Sequence, residues 1–387
     1  MSKQTNIPKL RFSEFSGEWE EKPFKDIVKI NQGLQIAISE RLTEKQEGTM
    51  FYITNEFLRT NSDKKYFIKD APKSVICEKD DILMTRTGNT GKVVTNVEGA
   101  FHNNFFKIAY PKTIVKEYLV NFLNLSSTQN YILRLAGTST IPDLNHSDFY
   151  KIKFTFPQKE EQTQIATFLT AVDSKIELLQ KKKQGLEQYK KGVMQQIFSQ
   201  KLRFKDDKGN NYPDWEEKKI SEIFKVTRGQ VLAATKVKNS SENDFKYPVY
   251  SSQTLNDGLM GYFNEYLFEN AITWTTDGAN AGVTKYRKGK FYCTNVCGVL
   301  LSGEGYANQM IAELLNTITT RHVSYVGNPK LMNNVMSGIK ITIPKSIEEQ
   351  TKIANFLCAI DDRIGLVNTQ LENTQQFKKG LLQQMFV

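Results

Sequence analysis

The chain is one unit written twice, and that repetition constrains its fold more than any other feature. EEQTQIATFLTAVDSKIELL begins at Glu160, and EEQTKIANFLCAIDDRIGLV begins at Glu348. The two run without a gap to QYKKGVMQQIF, ending at Phe198, and QFKKGLLQQMF, ending at Phe386, with roughly half the positions identical. Each copy follows a strand-like tail, KIKFTFP ending at Pro157 and IKITIP ending at Pro344. A shorter repeat opens each half: LRF at Leu10 and WEEK at Trp19 return as LRF at Leu202 and WEEK at Trp215. So long a period does not describe a solenoid. It describes duplication of a whole domain together with a helix.

The repeated segments read as long helices. Ile165, Leu169, Val172, Ile176, Leu179, Leu186, Val193 and Ile197 fall at alternating steps of four and three, with Lys183 and Lys190 as polar breaks. In the second copy Ile353, Leu357, Ile360, Ile364, Val367, Leu371, Leu381 and Met385 do the same around Thr374 and Lys378. That is a heptad seam. The Glu-Glu-Gln after each proline suits a helix N-terminus, and neither segment contains a proline. About forty residues make a helix of roughly 60 Å. One apolar stripe of that length needs a partner, and the other copy supplies it. Each helix must carry the chain from one domain toward the other, so the pair is expected to be antiparallel. A generic dimerisation zipper would need only one copy.

The spans between the repeats are expected to be α+β domains with small twisted sheets. The boundaries read as an opening segment over 1–20, a first domain over 21–157 and a central helix over 158–199. A second opening over 200–215, a second domain over 216–344 and a C-terminal helix over 345–387 follow. Together they form a pseudo-two-fold internal repeat around an antiparallel coiled coil. Both domains are rich in β-branched and aromatic residues set between turn signals. DDILMTRTGNTGKV from Asp80 sits where NAITWTTDGANAGV from Asn270 sits, and FHNNFFKIAY from Phe101 is matched with FYCTNVCGVL from Phe291. A late polar loop follows in each, AGTSTIPDLNHSDF from Ala136 and VGNPKLMNNVMSGI from Val326. One frame carrying two sets of loop residues suggests two related sites that read different things.

Charge alone raises the case for a polyanionic partner without settling it, and the loop chemistry suits DNA. Lys and Arg total 52 against 42 acidic residues, a formal charge of +10. Such a balance favours a polyanionic partner. Arg and Lys reach phosphates or guanine, Asn and Gln pair with adenine edges, and Ser or Thr serve either. The candidates in the first domain are Arg59, Lys64, Lys65, Arg86, Thr87, Asn89, Lys92, His102, Asn103, Asn104, Thr138 and Ser139. In the second they are Ser251, Ser252, Gln253, Thr276, Asn280, Lys285, Tyr286, Arg287, Lys288, Asn295, Asn328, Lys330 and Asn333. Each alone reads equally well as a solvated turn residue. KYRKGK, Lys285 to Lys290, is expected to be a phosphate-facing hairpin or a solvated turn. Lys181 to Lys183 are expected on a solvated helix face or against phosphates.

Catalytic signatures fail one by one. Asn328-Pro329-Lys330-Leu331 lacks the second proline and the aromatic of a methyltransferase motif. Gly88-Asn89-Thr90-Gly91-Lys92 has the wrong spacing for a phosphate loop and runs into Val93. Pro213-Asp214 and Glu217-Lys218-Lys219 lie too close together for a nuclease site. Cys293 and Cys297 have no second ligand pair, and His102, His146 and His322 are scattered, so no metal is expected. The two cysteines, at opposite ends of a strand-like run, read as core. Four scattered cysteines give no disulfide framework, no apolar stretch is long enough to span a membrane, and the opening residues have no signal core. A cytoplasmic protein is expected.

The strand–Pro…Glu-Glu-Gln…Ile-Ala-x-Phe-Leu signature, at Pro157 to Leu169 and again at Pro344 to Leu357, resembles the specificity subunits of type I restriction–modification enzymes, particularly those of Gram-positive bacteria. Asp173 and Asp361 and the Lys-Lys-Gly…Gln-Gln-x-Phe ends belong to the resemblance, which covers the whole chain. It implies two target-recognition domains in inverted orientation, each reading half of a split asymmetric DNA sequence, with the helix pair setting the spacer. It implies that the helices seat two modification subunits, which bring S-adenosylmethionine and methylate adenine. Restriction subunits using ATP and Mg²⁺ join that core in defence against foreign DNA. The chain itself would hold no cofactor and have no activity. Two other readings remain: an enzyme with an unrecognised site, and a scaffold that binds proteins.

Overall fold

The computed structural model describes residues 6–59, 62–137, 140–252 and 255–387. It divides into two compact units, Met1–Gln180 with Gln370–Val387, and Lys181–Thr369. Each expected recognition domain lies within one unit, and each unit also takes part of both long helices.

In the first unit the opening segment leads into β1 (Glu20–Pro23), then β2 (Lys29–Gln32), β3 (Met50–Ile53), β4 (Tyr66–Ile68), β5 (Ile76–Cys77), β6 (Ile82–Thr85), β7 (Val93–Val94), β8 (Gly99–Phe101) and β9 (Phe105–Ala109). Helices α1 (Lys116–Leu123), α2 (Ser126–Ala136) and α3 (His146–Phe149) precede β10 (Lys153–Phe156) and the long α4 (Lys159–Phe198). Two sheets form, in the orders β2-β9-β6-β7 and β4-β3-β8-β5. Strand β1 pairs antiparallel with β10, which ties the opening segment to the tail before the helix.

The second unit repeats this with β11 (Glu216–Lys219), α5 (Ile220–Ile223), β12 (Lys225–Arg228), β13 (Tyr247–Tyr250), β14 (Leu259–Phe263), β15 (Phe268–Thr275), β16 (Thr284–Cys293) and β17 (Cys297–Leu301). Then come α6 (Gln309–Ile318), α7 (Asn333–Gly338), β18 (Lys340–Ile343) and α8 (Ile347–Met385). Here the sheet is a single six-stranded one, β12-β17-β15-β16-β13-β14. The long β16 does in one strand what β7 and β8 do in two. KYRKGK therefore lies inside β16 and is neither hairpin nor turn. Its Gly-Lys end is a bulge, with the register shifting between Glu269 and Ala271 and positive φ at Gly289 and Asn270.

The duplicated Glu-Gln explains why sequence repeats where it does. Glu161 and Glu349 are almost wholly buried. Arg11 grips Glu161 with Nε–Oε1 at 2.8 Å and Nη2–Oε2 at 2.8 Å, and Arg203 grips Glu349 at 2.9 and 3.1 Å. A buried carboxylate needs such a partner, so the arginine of each LRF is fixed by the glutamate of each helix. The next residue closes the proline turn: Gln162 Nε2 donates to Pro157 O at 2.9 Å and Gln350 Nε2 to Pro344 O at 2.8 Å. Ser346 Oγ also accepts from the Glu349 N–H and caps α8.

The seam residues of both helices are buried or half-buried. They do two jobs. In the first unit Ile165, Leu169 and Val172 share one core with Trp19, Phe24, Tyr118 and Phe154, and with Leu381 and Met385 of α8. In the second, Ile353 and Leu357 pack with Trp215, Trp274, Met310 and Ile341, and with Val193 and Ile197 of α4. Polar breaks pair across the helices. Lys378 Nζ meets Asp173 at 2.6 Å in the first unit. In the second, Lys183 Nζ meets Asn368 at 2.7 Å and Lys190 Nζ meets Asp361 at 2.7 Å, which makes the two helix segments antiparallel there. Lys183 thus turns toward a helix partner, while Lys182 is exposed.

Candidate nucleic-acid interface

Loops from distant parts of the sequence converge at one end of the β2-β9-β6-β7 sheet. The turn after β2 is held by backbone alone. A Cβ on Gly33 would stand 2.2 Å from Phe101 O and 2.3 Å from His102 O, so only glycine lets the two turns touch. Leu34 N donates to Phe101 O, and Asn103 N to Leu34 O. The loop after β6 joins the same cluster. Arg86 N donates to Asn104 O at 2.7 Å, and Asn55 Nδ2 donates to Thr87 O at 2.9 Å. The late polar loop closes it: Arg86 Nη2 pairs with Asp143 at 2.6 Å, and the Thr87 hydroxyl donates to the same carboxylate.

The second unit repeats the frame. Gly229 would meet Cys293 O and Thr294 O, each at 2.3 Å. Gln230 N donates to Cys293 O, Thr276 N to Val296 O, and Leu331 N to Thr276 O. Asp277 lies 3.8 Å from Lys330, so the bridge to the late loop is kept with its charges reversed. These matches correct the register read from sequence. Phe101 corresponds to Cys293, not to Phe291, a shift of two residues that the pleat hides because it keeps each side chain on its face. They also correct the cysteines. Cys293 ends β16 and Cys297 begins β17, on either side of a turn closed by Cys297 N to Thr294 O at 3.0 Å. Both are buried in a core with Phe291 and Val299.

The candidate residues sort by surroundings. Arg59, Lys64, Lys65, Asn89, Lys92, Lys288, Asn295, Asn328 and Lys330 are exposed. Arg59 pairs with Glu56 at 3.1 Å, and Lys92 Nζ donates to Leu58 O at 3.3 Å. Arg86, Thr87, Asn103, Asn104, Ser251, Ser252, Asn280 and Tyr286 are half-buried around the converging loops or the strands beneath them. Asn103 Nδ2 donates to Gln35 Oε1 at 3.0 Å, and Asn333 Nδ2 to Thr227 O at 3.3 Å. His102 is half-buried, its Nδ1 accepting from Asn104 N at 3.1 Å. Burial, and to a lesser degree Arg41, pulls its imidazole down to about 4.

Three candidates serve the fold. Thr276 is fully buried and donates to Asp277 and Val296 O. Arg287, 7% exposed, lies 3.7 Å over the Tyr250 ring and donates to Asp257 at 2.7 Å and Thr273 at 3.2 Å. Lys285 pairs with the same Asp257, and burial, then Arg287, lowers its ammonium from the usual lysine range. Alternation along a strand, invisible while KYRKGK read as a turn, turns Arg287 inward. Thr138, Ser139 and Gln253 lie outside the described residues. Gln32, Gln35, Asn55 and Asp143 are cluster residues that pattern reading missed. The Gly two positions before Gln35 was the available signal.

The frame has known counterparts. The family described as "Type I restriction modification DNA specificity domain" matches residues 16–188 and again 212–375. A Mycoplasma pneumoniae protein named for a type I specificity subunit role, S.MpnORF365P, is 33% identical over 225 residues, 57% of this chain and 80% of that protein. The MjaVIII type I restriction enzyme specificity subunit from Methanocaldococcus jannaschii is 24% identical across 98% of this chain and 95% of that one. The crystal structure of a type I restriction–modification S subunit from M. genitalium superposes with a TM-score of 0.69 at 18% identity, covering 98% of this chain and 99% of that chain. Matched twice along its length, the chain belongs to the type I restriction–modification DNA specificity family, as a DNA-recognition subunit.

Proposed function

We propose that each unit reads one half of a split, asymmetric DNA target and that the two long helices fix the unread spacer between the halves. The observation that carries this is the loop frame built twice: the same glycine contact, the same loop-to-loop bridge, and different side chains on both. Direct readout needs that combination of fixed backbone and variable base-facing groups. The exposed Arg and Lys near the loops would set the chain on phosphates.

The outer helix faces support seats for partner proteins. Leu178 and Leu366 hold the same repeat position and are 67% and 64% exposed, and Tyr189 and Phe377 are 53% and 55% exposed at another. Large apolar side chains displayed on a charged helix, twice over, fit a protein interface. Two modification subunits carrying S-adenosylmethionine would dock there, with restriction subunits using ATP and Mg²⁺ joining through them, in the cytoplasm. A structure from work on the assembly of a type I system shares the fold at a TM-score of 0.50 and 13% identity.

The test is co-expression with the cognate modification subunit in a host free of DNA methylation, followed by mapping of modified adenines. The expected result is one split motif with a fixed gap. Exchanging residues 21–157 or 216–344 with those of a relative should change one half each. A stable complex that methylates nothing would overturn the reading in favour of a scaffold.

A further inference from the structure

The duplicated glycine contact fixes one side chain in each unit at an equivalent place. Gly33 and Gly229 directly follow β2 and β12, press on the β8–β9 and β16–β17 turns, and are each followed two residues later by an exposed side chain. In the first unit that residue is Gln35, whose Oε1 accepts from Asn103 Nδ2 at 3.0 Å. In the second it is Val231, 79% exposed. Among the described residues, Val231 joins no hydrophobic core cluster. Two backbone bonds beneath it recur in both units, Gly33 N on Phe105 O with Leu34 N on Phe101 O, and Gly229 N on Cys297 O with Gln230 N on Cys293 O. The turn it rests on also carries an asparagine in both, Asn103 and Asn295.

We infer that Gln35 and Val231 are equivalent base-reading positions, each facing an A·T pair in the major groove, with Gln35 bonding the adenine edge and Val231 contacting the thymine methyl. This rests on the function proposed above. A glutamine held by one amide bond keeps a donor for adenine N7, with its carbonyl left to share with the adenine N6 amine. An exposed β-branched methyl pair has no hydrogen bond to offer and suits the one apolar group in that groove. Both residues sit on a turn braced at its glycine, so little freedom is lost when a base pair arrives.

The experiment uses the full chain with its modification subunit, as wild type, Gln35→Ala and Val231→Ser. Modified adenines are mapped, and binding is measured to duplexes varied one base pair at a time. Gln35→Ala should relax one A·T position in one half-site, lowering discrimination there about tenfold and leaving the other half intact. Val231→Ser should relax a thymine position in the other half. Replacing that thymine by deoxyuridine, which lacks the methyl, should weaken the wild type several-fold and leave Val231→Ser unaffected. Variants that assemble and keep every position of the wild-type motif would overturn the inference while leaving the split-target reading standing. So would a uniform loss of binding at all sequences, the mark of a phosphate contact. A wild type without a split motif would remove both.

Discussion

His102 and Glu349 show what single residues decide. The imidazole, held near 4 by burial, is neutral at pH 7 and acts as an acceptor for the Asn104 N–H, not as a cation for phosphate. Its ordinary value is 6.5, so between pH 6.5 and about 4 the unfolded chain binds a proton that the folded chain refuses. Stability from this group is full above that window and falls as pH drops through it. Urea midpoints measured from pH 7.5 to 4.5 should therefore decline more steeply for the wild type than for His102→Gln. Equal slopes would mean that the ring is solvated. Glu349 accepts from Arg203 twice and from Trp215 Nε1 at 3.3 Å with no exposure of its own. Glu349→Ala strands a mostly buried guanidinium and should cost about 3 kcal/mol of unfolding free energy. Glu349→Gln, which still accepts a hydrogen bond, should cost less in the same denaturant titration.

At the scale of elements, the two helices were legible because the heptad seam is a local property and one copy checks the other. The sheets were not. Cys293 and Phe101 occupy one place in the frame, but composition matches Phe101 to Phe291, and only the backbone bonds at Gly33 and Gly229 expose the slip. The inward turn of Arg287 depends on β16 being continuous, which requires knowing that β13 and β15 flank it. The loop cluster was legible only in part: Arg86, Thr87, Asn103 and Asn104 stood out as loop residues, whereas Asn55 and Asp143 did not, because they reach Thr87 only through tertiary folding. The polar breaks in the seam make a sharper prediction. Burial opposes the Lys190 charge, yet the hydrogen bonds it donates to Asp361 and Glu313 outweigh that and hold the ammonium above the ordinary lysine value. Lys378, the same repeat position, meets Asp173 at 2.6 Å. Lys190→Met leaves two carboxylates facing each other and should destabilise by about 2 kcal/mol, whereas Lys378→Met leaves one half-exposed carboxylate and should stay under about 1 kcal/mol. Equal losses in denaturation of the two variants would mean that Glu313 takes no part.

For the whole molecule, duplication makes helix length the adjustable quantity. Each recognition domain shares its core with the first turns of its own following helix, through Ile165 and Leu169 in one unit and Ile353 and Leu357 in the other. The far turns belong to the opposite unit's core, through Val193 and Ile197 and through Leu381 and Met385. Among the described residues, the middle of each helix lies outside both recognition-domain cores. Deleting one heptad from the middle of both helices keeps the seam in phase and shortens each helix by about 10 Å, roughly three base pairs of duplex. Methylation mapping of that double deletion should return both half-sites unchanged with a gap shorter by about three base pairs. The same deletion in one helix alone puts the seams out of length and should abolish assembly with the modification subunits, read by co-purification. A double deletion that keeps the original gap would show that the spacer is set by the recognition domains and not by the helices.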